Sequence, residues 1–178
     1  PNMQIDFNAI AKGYSIDVIG GFLESFGIRN YLVDIGGEVL ARGSKPDGEK
    51  WVIGIEKPTD EATAERTLKA TIKVDDIAVA TSGNYRKFYV EDGIKYAHTI
   101  DPATGYPVIH SLLSATVFSD STARADAYAT AFMVMGLEKT KSFLEQNSHI
   151  DAYLIFSDET GKIQTFGTDG VKKMLNEL

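Results

Sequence analysis

An α+β fold with an antiparallel sheet is what this sequence predicts. Three observations carry that expectation: most predicted strands are joined by hairpin turns, the predicted helices are grouped apart from them, and the composition suits one buried core. The chain has 178 residues, 43% hydrophobic and 24% charged. That describes one domain over 1–178 and argues against disordered, collagen-like or membrane-spanning classes. The formal charge of −7 and pI near 4.9 leave no basic footprint for a nucleic acid. With no cysteine, disulfides, thiolate ligands and a cysteine nucleophile are excluded. The chain opens Pro1-Asn2-Met3-Gln4-Ile5 without an initiator methionine, so the expectation is that it is the C-terminal part of a longer protein.

The elements follow in order. Over residues 9–26, Ile10, Tyr14, Ile16, Val18, Ile19, Phe22, Leu23 and Phe26 recur at roughly helical spacing, and Gly27 stands where a helix ends. Residues 31–35 and 38–42 flank Gly36-Gly37 and read as two strands on a tight turn. Strands are expected over 51–56, 67–74 and 77–81, the last running into Ser82-Gly83. Residues 86–90 and 94–100 surround Glu91-Asp92-Gly93, a hairpin signal because Asp-Gly tolerates positive φ. After a turn over 102–107 come a strand at 113–118, a helix at 122–135 stopped by Gly136, and a helix at 138–146. Strands at 152–157 and 163–166 and a terminal helix from Gly170 complete the prediction.

Candidate chemistry gathers in a few segments. Asp126 and Thr130 lie four apart on a predicted helix and share one face. Two oxygens there suit a hard cation such as Mg²⁺, which takes one or two carboxylates together with phosphate and water. The plain alternative is a solvated acid and a threonine bonded back to its own helix. Small residues Ala123, Ala125, Ala127, Ala129 and Ala131 leave room for backbone or ligand to approach. Asp6, Asn8 and Lys12 surround a helix start, where unpaired N–H groups and a lysine suit a phosphate. On the other reading Asp6 or Asn8 is a helix cap. His98 ends a predicted strand before the turn Asp101-Pro102, and a hydrolase triad lacks the expected serine elbow.

Taken together, these segments resemble the ApbE family, the bacterial FAD:protein FMN transferases. Residues 6–17 are similar to its D-x-x-x-x-A-K-G-Y-x-x-D helix start, and 33–38 to its glycine-turn strand. Ser82-Gly83-Asn84-Tyr85-Arg86 resembles its S-G-x-Y element, 98–107 its H-x-I-D-P-x-T-G-x-P signature, and 125–136 its A-D-A-x-x-T-A helix. The resemblance implies an α+β core with an antiparallel sheet. It also implies a Mg²⁺ held by the Ala9 carbonyl, Asp126 and Thr130, with Asp6, Lys12, Thr99 and Ile100 contacting FAD and His98 taking a proton. The implied reaction moves FMN from FAD to a threonine hydroxyl of an acceptor flavoprotein, such as a redox-driven ion pump subunit, releasing AMP. Location would be periplasmic or otherwise extracytoplasmic, anchored as a lipoprotein in full-length form. Where some members carry a second acid three residues after the first, this chain has Ala129. A Mg²⁺-dependent FAD pyrophosphatase and a non-catalytic FAD-binding protein are the alternatives.

Overall fold

The computed structural model describes residues 5–58, 67–84 and 99–178, together with the backbone of 88–91 and 94–97. Four helices and eleven strands occur among them: α1 (Ala11–Ser25), β1 (Tyr31–Ile35), β2 (Glu38–Arg42), β3 (Trp51–Glu56), β4 (Leu68–Val74), β5 (Ile77–Gly83), β6 (Phe88–Glu91), β7 (Ile94–Ala97), β8 (Leu112–Ser119), α2 (Thr122–Met135), α3 (Leu137–Gln146), β9 (Asp151–Ser157), β10 (Ile163–Gly167), α4 (Asp169–Lys172) and β11 (Leu175–Glu177). The main sheet runs β1-β2-β5-β8-β9-β10, a second runs β11-β4-β3, and β6 pairs with β7. Every strand pair is antiparallel, as expected for α+β.

Alternation along the central strands divides the core into two layers, because successive side chains leave a strand on opposite faces. From β8 and β9, Val117, Ala152 and Leu154 pack with Ala125, Ala129, Phe132 and Met133 of α2. Their neighbours Phe118, Tyr153 and Ile155 turn the other way, onto Ile72 and Val74 of the smaller sheet. The main sheet is therefore covered by helices on one face and by a sheet on the other. Each fully buried large side chain here contributes about 1.5–3 kcal/mol relative to exposure.

Helix α2 matches the sequence prediction at both ends, since the Ser121 hydroxyl accepts from the Arg124 N–H and Gly136 closes it with φ +76°. Helix α1 is different. Most of its apolar residues lie off its buried face: Ile16 is buried between Gly13 and Gly20, whereas Tyr14, Val18, Phe22 and Phe26 are 53–70% exposed. The helix sits close on its neighbours because two of its contact positions carry no side chain.

The tail corrects one expectation. In place of a terminal helix from Gly170 there is a single turn, α4, and then strand β11 paired to β4. Met174 and Leu175 pack on the apolar cluster between the sheets, and Leu178 donates its N–H to the Lys69 carbonyl. An open strand edge beside an apolar pocket outweighs weak helix propensity over so few residues.

Candidate functional site

The first turn of α1 lies against the first half of α2, and the two helices exchange carboxylates. Asp17 of α1 accepts from the Thr122 and Ala123 N–H groups and the Ser121 hydroxyl at 2.8–3.0 Å, so it caps α2 from outside. Burial pushes its carboxyl upward, but these hydrogen bonds outweigh burial and hold it below the ordinary range. Asp126 of α2 reaches the other way and accepts from the Gly13 N–H at 3.0 Å. It is 3% exposed, which removes the solvated-face reading of this acid. Burial raises its pKa, opposed by the Gly13 N–H and the charge of Lys12.

Gly13 makes this approach possible. A Cβ there would stand 2.4 Å from the Thr122 carbonyl oxygen and 2.8 Å from the Ala123 Cα, so only glycine fits. Its N–H points at Asp126, and the Ala9 carbonyl, its usual helical partner, accepts no main-chain hydrogen bond among the described residues. One Asp126 oxygen and the Ala9 carbonyl are thus left as oxygen donors near the start of α1.

Lys12 donates to Glu38 Oε1 at 2.5 Å. Glu38, the first residue of β2, is 2% exposed, and its Oε2 is buried with no hydrogen-bond partner. Burial raises its pKa, the contact with Lys12 lowers it, and the charge of Asp126 raises it again. The sequence assigned no chemistry to Glu38. Its signal is an acid opening a strand whose next three residues, Val39, Leu40 and Ala41, are all apolar and all buried.

The other predicted residues are placed as follows. Thr130 is half-buried on α2, and its hydroxyl meets the Ser82 hydroxyl near the end of β5 at 3.1 Å. Just beyond β5, Asn84 accepts from the Thr99 hydroxyl at 2.8 Å. Ile100 is 47% exposed and bridges to Pro107. Asp6 is exposed and accepts from the Asn8 N–H and side-chain amide, so it holds the turn ahead of α1 and caps no helix; α1 has no side-chain cap. His98, with Tyr85 and Arg86, lies outside the described residues. No group of three or more His, Cys, Asp or Glu side chains is gathered among the described residues. The carboxylate, hydroxyl and carbonyl oxygens of Asp126, Thr130 and Ala9 are hard donors, of a kind that suits Mg²⁺ and not a zinc site of His and Cys ligands.

Fold and site define an α+β protein whose polar site is built where two helices meet on one face of an antiparallel sheet. Residues 1–154 match the ApbE family model, and the chain belongs to the ApbE family. A Vibrio cholerae protein named FAD:protein FMN transferase is 38% identical over 177 residues, covering 99% of this chain and 52% of that protein. Its Haemophilus influenzae namesake is 38% identical over 174 residues, covering 98% of this chain and 49% of that one. The crystal structure of the Pseudomonas stutzeri flavinyl transferase ApbE in its apo form superposes with a TM-score of 0.82 at 40% identity, over 96% of this chain and 51% of that one. The flavin transferase ApbE of Vibrio cholerae gives 0.84 at 37% identity, over 98% and 53%. The chain thus spans about half the length of these relatives.

Proposed function

We propose that this chain carries the metal and pyrophosphate site of a Mg²⁺-dependent FAD:protein FMN transferase. The observation that carries the reading is Asp126, a buried carboxylate of raised pKa facing a lysine and a helix start from the interior of α2. A carboxylate in that position is costly to bury unless something charged meets it. The names of the relatives supply the reaction class.

In this proposal Asp126, Thr130 and the Ala9 carbonyl hold Mg²⁺, which when bound supplies neutralisation and orientation of the pyrophosphate. Lys12 donates N–H groups to the same phosphates, while Asp6, Thr99 and Ile100 line the nucleotide. The acceptor threonine oxygen attacks the phosphorus of the FMN half. A new P–O ester bond forms, the bond from that phosphorus to the bridging oxygen breaks, and AMP leaves with that oxygen. His98 takes the hydroxyl proton and passes it to solvent. The acceptor is a flavoprotein such as a redox-driven ion pump subunit, reached from an extracytoplasmic, lipoprotein-anchored position.

The test is incubation of the protein with FAD, Mg²⁺ and a candidate acceptor, followed by mass spectrometry. FMN esterified to an acceptor threonine is the expected result. Free FMN and AMP formed equally without acceptor would replace the transferase with a pyrophosphatase. FAD binding that persists in EDTA without AMP release would leave a binding protein.

A further inference from the structure

The cation best placed for a phosphate is already occupied. Lys12 contacts Glu38 at 2.5 Å, and Glu38 side-chain exposure is only 3% against 49% for Lys12. Asp126 adds a second buried carboxylate within the electrostatic reach of both. Three formal charges therefore sum to minus one, the two negative ones on buried carboxylates, with Glu38 Oε2 lacking any partner. Such a charge cluster attracts a divalent cation and repels an anion.

We propose that Glu38 masks Lys12, so that the divalent cation must bind before the pyrophosphate group is accepted. This rests on the reading of the site given above. Glu38 is a positioning residue acting through Lys12: it holds the ammonium beneath the Gly36-Gly37 turn, where a Cβ built on Gly36 would stand 3.8 Å from both Glu38 Oε2 and the Lys12 Cδ. An ammonium has three donors, so Lys12 can keep its bond to Glu38 and still offer N–H groups. What Glu38 removes is the net positive charge. Arrival of a divalent cation turns the local sum from minus one to plus one, and the anion then becomes welcome.

The prediction runs against the usual outcome of a site mutation, because removing Glu38's charge strengthens binding. Inorganic pyrophosphate titrated calorimetrically in EDTA should bind Glu38→Gln about tenfold more tightly than the unaltered protein. The further gain on adding Mg²⁺ should shrink, and adding Lys12→Gln should erase the difference between the two proteins. Binding by Glu38→Gln that is no tighter in EDTA, or a gain that survives Lys12→Gln, overturns the proposal.

Circular dichroism checks that the variant folds. Should it not fold, the unaltered protein still decides the matter: Mn²⁺ followed by EPR should bind without nucleotide, while pyrophosphate should bind about tenfold more weakly in EDTA than with Mg²⁺. Pyrophosphate binding as tight in EDTA as with Mg²⁺, or Mn²⁺ binding only with nucleotide, overturns the order. FAD titrated in parallel separates the two claims. If pyrophosphate follows the pattern and FAD does not bind, the flavin reading falls and the mask stands. If FAD binds with Mg²⁺ and Glu38→Gln changes nothing, the mask falls and the flavin reading stands.

Discussion

Asp17 and Asp126 cross the same helix interface in opposite directions, and their surroundings differ in one respect. Asp17 receives three donors at the mouth of α2, and its pKa is lowered. Asp126 receives one, deeper in the structure, and its pKa is raised. A carboxylate whose lone pairs are met by fixed N–H and O–H groups serves the fold. One left partly unmet in a buried position stores an electrostatic demand that a ligand can satisfy. Glu38 belongs with Asp126 as a buried carboxylate of raised pKa, and its Oε2 has no hydrogen-bond partner.

The harshest way to break the comparison is to force the two ends apart together. Gly13→Val places a side chain into the Thr122 and Ala123 backbone and should cost about 3 kcal/mol, read as a lower denaturation midpoint. It should disable both carboxylates at once. Asp17→Ala acts on one end alone. Losing the cap leaves the Thr122 and Ala123 N–H groups unmet and should cost about 2 kcal/mol, with the divalent-cation affinity of the folded protein nearly unchanged.

Asp126→Asn should do the reverse. The amide keeps an acceptor for the Gly13 N–H and removes the buried charge, so stability should shift by less than about 1 kcal/mol while Mn²⁺ binding disappears from the EPR titration. Equal stability losses in Asp17→Ala and Asp126→Asn would show that the two carboxylates do the same job.

The subtlest separation is by pH. Raised groups bind protons more readily in the folded state, so protonating Asp126 and Glu38 relieves a penalty present above their folded pKa values. As pH falls, cation binding should therefore fade while the pH is still above the usual carboxylate range, without loss of stability. Asp17, being depressed, contributes stability above the unfolded carboxylate value and loses it only as pH falls through its lower folded pKa. Metal response should vanish at a higher pH than the acid-side fall in melting temperature of the metal-free protein.

Much of this architecture was legible in the sequence. The Gly36-Gly37 turn joins β1 to β2 in the expected register, with Ile35 opposite Glu38. Helix α2 has its predicted limits because Ser121 and Gly136 are local signals. Strand β11 was not legible, since three residues joined to a distant edge leave no local pattern. In α1 most of the apolar positions face outward, because the packed side is built from Gly13 and Gly20 around Ile16 and a glycine does not register as hydrophobic. Asp126, Thr130, Ala9 and Lys12 were singled out by spacing and resemblance. Glu38 was missed because an acid beside a turn reads as a solvated side chain until its strand is seen to be buried along its length.

The glycines of α1 also grade its tolerance of mutation. A Cβ at Gly21 meets nothing within 4 Å, and one at Gly20 meets the movable ends of Leu40 and Tyr31. At Gly13 it meets main chain. Any single-base missense change in a glycine codon adds at least a Cβ, so position 13 has no neutral neighbour in the genetic code. Lineages that diverge freely elsewhere along this helix should remain pinned at that one residue.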